Sequence, residues 1–250
     1  AAFTADVTSG QAPLTVQFTD QSTGDVMEWE WNFGDGSSST EQNPLHLYET
    51  WSTFTVSLEV RGPGGTDTKT NYITVLPPDT IPVNAPFDIS QYFYPSGWMG
   101  DVDSIEFDDA YSSDIRTGDS DGKYIKIDYA FGTNGWAGIY WQHPENNWGD
   151  TTGVKIIGAT KVTFWARGQT GGEKVQFKAG GIDNASKKYK DSFSADLGYI
   201  TFSDQWTFYE IDLSSYDLLN VIGGFMWVSN SGNNPGESDI TFYLDEIRYE

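Results

Sequence analysis

The 250-residue chain carries 36 Asp and Glu against 14 Lys and Arg, a formal charge of −22; it lacks the clustered cations that displace counterions from phosphate backbones or anionic lipid heads, so nucleic-acid and membrane-surface binding are set aside. Charged residues reach only 20% while aromatics reach 16%, with ten Trp, 27 Gly and no Cys, a composition of strands and tight turns that excludes disulfides and thiolate metal sites. No run approaches the roughly 18 consecutive apolar residues of a membrane span, and the length fits one large or two ordinary domains.

Period-two alternation predicts strands at Leu14 to Thr19, Thr53 to Val60 and Tyr72 to Val75, each bounded by Gly, Pro or Asp turns. Between them Trp31-Asn32-Phe33-Gly34-Asp35-Gly36 puts two large aromatics on one strand face and then turns at Asp-Gly, where positive φ costs little. Asp35 reads as a turn former, and His46, set among Leu45, Leu47 and Tyr48, as a hydrogen-bonded packing residue. Trp51 divides evenly between packing and an exposed contact role.

The run Leu76-Pro77-Pro78-Asp79-Thr80-Ile81-Pro82 loses backbone donors and stiffens toward an extended form. It sets the boundary between a first domain, residues 1–78, and a second, residues 79–250. Downstream, strands are predicted near Ser104 to Tyr111, Lys123 to Phe131, Gly135 to Trp141, Lys161 to Arg167, Lys174 to Gly180, Trp206 to Leu213, Val221 to Val228 and Ile240 to Tyr249, with a minor helical turn at Ser214 to Leu219. The fold class expected is all-β: a short sandwich followed by a larger jelly-roll β-sandwich.

Seven of the ten Trp follow the boundary. Trp165, Trp206 and Trp227 open or lie inside strands and read as packing residues. In Gly135 to Asp150, by contrast, Trp136, Trp141 and Trp148 are interleaved with Gly, Asn, Gln and Asp. Flat rings beside polar neighbours point to a wet aromatic platform: the C–H faces of a sugar stack on indole while its hydroxyls reach amides and carboxylates. Gln142, Asn146, Asn147 and Asp150 are the hydrogen-bonding neighbours by position. Neutral polysaccharide needs no cationic site, in keeping with the charge. Trp136 and Trp141 are five apart, however, and a regular strand sends them to opposite faces. Unless one lies past the strand end or a bulge shifts the register, one of the two is core.

With its flanking segments Ala12 to Asp20, Glu41 to Tyr48 and Thr53 to Val56, the Trp31 to Gly36 stretch resembles the polycystic-kidney-disease (PKD) repeat over nearly all of residues 1–76. Glu49-Thr50-Trp51-Ser52 departs from the family's usual Pro-Gly turn. The resemblance implies an immunoglobulin-like sandwich acting as a spacer or contact module. Residues 80–250, on the Trp block together with Tyr94 to Asp101, Phe164 to Gly168, Gly171-Gly172-Glu173, Val221 to Phe225 and Tyr243 to Ile247, resemble a family 44 carbohydrate-binding module of the kind joined to PKD domains in multimodular clostridial cellulases. That resemblance implies non-catalytic binding of β-1,4-glucans (cellulose, xyloglucan and mixed-linkage glucan) through Trp136, Trp141 and Trp148, and an appended glycoside hydrolase as partner. It also implies a structural calcium ion, for which Glu106 and Asp108 on one strand face and Asp245 on the last strand are the candidate oxygen ligands; Asp119 to Gly122 is a second oxygen-rich turn.

The only two histidines, His46 and His143, fall in different domains, which argues against zinc, and neither a Gly-x-Ser-x-Gly elbow nor a phosphate loop is present. Glycosidase chemistry needs only two carboxylates, so a jelly-roll β-glucanase stays open as a third reading, behind a surface adhesion fragment whose sandwiches serve protein contacts. The start at Ala1-Ala2-Phe3 without a Met suggests a mature piece of a secreted polypeptide.

Overall fold

Burial alternates along most strands, because successive side chains leave a pleated backbone on opposite faces. The computed structural model describes residues 1–62, 65–76, 79–113, 116–118 and 122–250, with backbone only over 65–71. The chain divides into two units, Ala1–Asp79 and Thr80–Glu250; Pro77 and Pro78 lie outside the described residues. Both units are all-β, and among the described residues the helical pieces are two 3-10 turns, Ile89–Gln91 and Val102–Ser104.

In the first unit the strands are β1 (Phe3–Ala5), β2 (Ser9–Gln11), β3 (Leu14–Asp20), β4 (Glu28–Asn32), β5 (Ser38–Ser39), β6 (Leu45–Tyr48), β7 (Ser52–Arg61) and β8 (Gly65–Leu76). They form a three-stranded sheet, β1-β3-β6, and a five-stranded one, β2-β8-β7-β4-β5. Their apolar faces share one core that includes Val16, Phe18, Trp31, Phe33, Tyr48 and Val56. The Asp-Gly turn forms as expected, with Gly34 and Gly36 at φ of 84° and 95°. His46 Nε2 lies 2.7 Å from Asp35 Oδ2, and its ring stacks on Phe33 at 4.0 Å. Burial alone raises the Asp35 carboxyl, but hydrogen bonds from Ser37 and His46 outweigh it and hold it below the ordinary value. Trp51 is half-buried and packs against this core.

The second unit contains β9 (Ile81–Asn84), β10 (Phe87–Asp88), β11 (Tyr94–Gly100), β12 (Ile105–Tyr111), β13 (Tyr124–Ala130), β14 (Trp136–Gln142), β15 (Val154–Ile157), β16 (Lys161–Gly168), β17 (Lys174–Gly180), β18 (Ser194–Thr201), β19 (Thr207–Asp212), β20 (Gly223–Asn230) and β21 (Asp239–Tyr249). A five-stranded sheet runs β11-β14-β20-β17-β18; a six-stranded sheet runs β12-β13-β21-β16-β19 with β10 also beside β21. β9 and β15 pair in parallel. The inner faces meet through aromatic contacts such as Phe164 with Phe225 at 5.2 Å and Trp227 with Phe242 at 5.1 Å, so the two sheets bury one sandwich core.

All eight strands expected downstream of the boundary form. Ser214 to Leu219 makes turns rather than a helix. Strands β9, β10, β11, β15 and β18 were not anticipated. In β11 a proline and two glycines read as a turn, yet it is an edge strand, where proline is tolerated. In β18 the alternation breaks at Gly198, which sits at a φ of 77°, where the pairing with β17 shifts register.

Candidate functional site

The outer, solvent-side face of the five-stranded sheet follows from its core. β14 sends Ala137, Ile139 and Trp141 inward, which leaves Trp136, Gly138, Tyr140 and Gln142 on the other face. By the same parity β20 presents Met226, Val228 and Asn230, β17 presents Lys174, Gln176 and Lys178, and β18 presents Asp196 and Tyr199. Backbone contacts fix where Trp136 begins. The Asp101 N–H donates to Trp136 O at 2.9 Å, and Gly100, at a φ of 73°, sits so close that a Cβ there would come within 2.2 Å of the same oxygen.

The pairing of β14 with β20 stays in register from Trp136 to Trp141, and the one irregularity against β11 puts the extra residue, Ser96, in β11, so the two tryptophans take opposite faces. Trp136 is 40% exposed. Trp141 is a correction to the platform expected from sequence: it is 2% exposed and packs edge-on against Phe107 at 5.9 Å and Phe225 at 5.5 Å. Its ring faces are spent in the core. Trp148 is half-buried, edge-on to Tyr140 at 5.9 Å, over a small apolar cluster of Tyr140, Ile182, Ile222 and Met226 on the outer face. Trp165, expected in the core, lies instead on the outer side of the six-stranded sheet, since its neighbours Phe164 and Ala166 point inward.

The loop carrying Trp148 is organised by Asn147. Its Oδ1 accepts the N–H groups of Gly149, Asp150 and Thr151, and its Nδ2 donates to His143 O and Thr151 O. Asn147 and Gln142 are both buried, so neither is the sugar-facing amide expected. Asp150 is tied to Lys187 Nζ at 2.6 Å, and Asn146 donates its N–H to Ser96 Oγ at 2.9 Å. His143 Nδ1 lies 2.6 Å from Tyr92 O, a packing role. The opposing loop is clasped by Asp191, whose carboxylate accepts N–H groups of Ile182 at 2.7 Å and Gly223 at 3.1 Å, and that of Ile222. Burial pushes this carboxyl up to about 7 despite those bonds.

Sequence reasoning missed the polar half of the face. Tyr199 is 40% exposed, and its hydroxyl accepts a hydrogen bond from Asn230 Nδ2 at 2.6 Å. Gln176 Nε2 donates to Asp196 Oδ2 at 2.7 Å, and Lys178 Nζ is 3.1 Å from the same carboxylate. Burial alone raises the Asp196 carboxyl, but donors from Gln176, Gly198 and Lys178 outweigh it and hold it low. Gln176 and Lys178 were findable, because they alternate with Val175, Phe177 and Ala179 in an anticipated strand. Tyr199 was hidden with β18. The strands bearing Trp136 and Tyr199 are three ladders apart, about 14 Å between their backbones, and the Tyr199 hydroxyl reaches Asn230, the residue paired with Trp136. The amides of Asn230 and Gln176 are on the two strands between them, with Lys178 and Asp196 one row further along.

The calcium set does not fit. Asp245 Oδ2 lies 2.9 Å from Arg116 Nε, both side chains buried. Glu106 and Asp108 are exposed on β12, two strands away from β21, with Glu106 opposite Asp128 and Asp108 opposite Lys126. Among the described residues no three His, Asp or Glu side chains gather as a metal site, and residues 119–121 of the second oxygen-rich turn lie outside the described residues.

Residues 1–75 match the family model described as PKD domain. Two curated relatives are similar to part of this chain. Collagenase ColA of Bacillus cereus (strain ATCC 14579) is 45% identical over 65 residues, which cover 24% of this chain and 7% of that protein. Collagenase ColQ1 of Bacillus cereus (strain Q1) is 41% identical over 46 residues, 18% of this chain and 5% of that protein. The chain thus spans less than a tenth of the length of these relatives. Among solved structures, one described by the promiscuous specificity of carbohydrate-binding modules from the β-sandwich superfamily is 15% identical at a TM-score of 0.40, covering 100% of this chain and 96% of its own. A family 11 carbohydrate-binding module from Clostridium thermocellum, in complex with a mixed-linked tetrasaccharide, is 16% identical at a TM-score of 0.42, covering 66% of this chain and 93% of its own. No helix is long and apolar enough to cross a membrane among the described residues.

Proposed function

We propose that residues 80–250 form a non-catalytic carbohydrate-binding module whose site is the outer face of the five-stranded sheet. One observation carries the reading: two exposed rings, Trp136 and Tyr199, share a single solvent-facing sheet with the polar side chains Asn230, Gln176, Lys178 and Asp196. A sugar chain laid across the strands stacks its C–H faces on the rings and exchanges hydroxyl hydrogen bonds with the polar side chains beside them. The substrate class is a neutral β-1,4-glucan such as cellulose, xyloglucan or mixed-linkage glucan, in line with the sequence resemblance to family 44. Trp136 and Tyr199 are the stacking residues, and Trp148 borders the face.

In this reading the PKD-like first unit is a spacer or contact module, the polypeptide is extracellular, and the module holds an appended glycoside hydrolase near its substrate by raising local concentration. Affinity electrophoresis through hydroxyethyl cellulose, xyloglucan and barley mixed-linkage glucan tests it. Wild type is retarded by at least one glucan, and Trp136→Ala and Tyr199→Ala run free while keeping the wild-type melting profile. Free migration of wild type in all three gels overturns the glucan assignment.

A further inference from the structure

The opposite surface of the second unit, the outer face of the six-stranded sheet, is also aromatic. An antiparallel sheet with one side on a core ordinarily turns a polar side to water. Here Tyr111, Tyr124, Tyr243 and Trp206 form a connected raft, with Tyr124 to Trp206 at 5.3 Å and Tyr124 to Tyr243 at 5.5 Å; Tyr124 and Tyr243 are buried within it, while Tyr111 and Trp206 are half-buried. One strand further on, Trp165 meets Phe208 at 5.3 Å, and Phe208 is 46% exposed.

Arg167 lies on this raft. Its guanidinium carbon is 4.0 Å from the centre of the Tyr243 ring and 5.4 Å from that of Trp206. The other basic side chains of the face have carboxylate partners: Arg116 has Asp245 at 2.9 Å and Glu246 at 2.7 Å, Lys126 has Asp128 at 2.6 Å, and Lys161 has Glu210 at 3.3 Å. Arg167 has none among the described residues. Its hydrogen bond runs from Nη1 to Gly168 O at 3.3 Å. In a chain with 36 acidic residues, a guanidinium set over two rings without an acid of its own has donor edges left for one. A planar fork of N–H groups is matched geometrically by a carboxylate, and the adjoining indole offers a stacking surface to a sugar ring.

We propose that this face is a second carbohydrate-binding surface, which takes a sugar bearing a carboxylate through Arg167 and Trp206. The ligand is a neutral polysaccharide carrying isolated uronate groups. A continuous polyuronate is disfavoured, because a net charge of −22 repels a polyanion. The two faces are chemically distinct: one reads neutral chain, the other reads a charged substituent.

The test is affinity electrophoresis of the full chain, in buffer of about 0.15 M ionic strength where the Debye length is about 8 Å, through glucuronoxylan and through the same polymer after its carboxyl groups are reduced to alcohols. Glucuronoxylan retards the wild type more strongly, with an affinity difference of about tenfold or more from one charge-assisted fork. Arg167→Lys, which keeps the charge and removes the fork, and Trp206→Ala both erase the difference. Equal retardation by the two polymers overturns the proposal, as does an Arg167→Lys protein that still distinguishes them. A glutamate oligomer that competes as well as a glucuronic-acid-substituted xylo-oligosaccharide overturns the sugar assignment in favour of an acidic peptide. The polymer comparison on wild type stands whether or not either variant folds, and retardation by neutral glucan reports the first face separately.

Discussion

Replacing Trp141 and Trp136 by alanine, one at a time, separates core from surface within a single strand. Trp141 is 2% exposed and wedged between Phe107 and Phe225, and emptying such a site costs about 3–5 kcal/mol in lost burial and residual cavity. For a unit of this size each kcal/mol moves the melting temperature by about 2–4 °C, so Trp141→Ala lowers the transition of residues 80–250 by about 6–20 °C. Trp136 is 40% exposed, and its removal costs about 1 kcal/mol or less, a shift of no more than about 4 °C. Differential scanning calorimetry reads both, with near-ultraviolet circular dichroism as a check on packing. A Trp141→Ala protein that melts with the wild type while losing glucan binding refutes the assignment of Trp141 to the core, and with it the parity argument that defines the outer face.

Other perturbations follow from paired or enclosed carboxylates. Asp245→Asn strips the buried Arg116 of one of two acid partners and destabilises the second unit by about 3 kcal/mol, the low end for a broken buried pair because Glu246 remains; urea unfolding that shows no loss contradicts the pairing. Burial raises the Asp191 carboxyl from 3.8 to about 7, so between those values the folded chain binds more protons than the unfolded one. The Asp191 contribution to stability is therefore greatest below pH 4 and is lost as pH rises through 7. Asp191→Asn flattens the slope of stability against pH between about 4 and 7, and an unchanged slope counts against the enclosure of this group. Asp35 behaves oppositely, since its carboxyl is held below its usual 3.8: its contribution is present above that value and fades as pH falls through the lowered one. Asp35→Asn costs the first unit about 1 kcal/mol at neutral pH by weakening the bond to His46, as read by guanidinium unfolding.

Much of the second unit was legible because alternation is a strong signal wherever one face is buried: Val175, Phe177 and Ala179 announce both β17 and the outward Gln176 and Lys178. The same rule foretold that Trp136 and Trp141 part company unless a bulge intervened; β14 itself carries no extra residue between them, and only the packing of the folded sheet sends Trp141 inward. Much of what stayed hidden had a local cause. Proline and glycine disguised the edge strand β11, and Gly198 broke the pattern of β18 and concealed Tyr199. The side-chain amide of Asn147, which reads as a sugar ligand, is consumed in shaping its own loop. Asp245 reads as a metal ligand until Arg116, distant in sequence, is seen to occupy it. Such long-range partners leave no mark in local composition.

Isothermal titration calorimetry with cellohexaose tests the central claim most directly, using wild type, Trp136→Ala, Tyr199→Ala and, as an off-face control, Phe208→Ala. Wild type and Phe208→Ala bind with matching affinity, while each of the other two loses about tenfold or more, as expected for one stacking ring at 1–3 kcal/mol. Binding that survives loss of both Trp136 and Tyr199, or that disappears with Phe208, places the sugar elsewhere and contradicts the account.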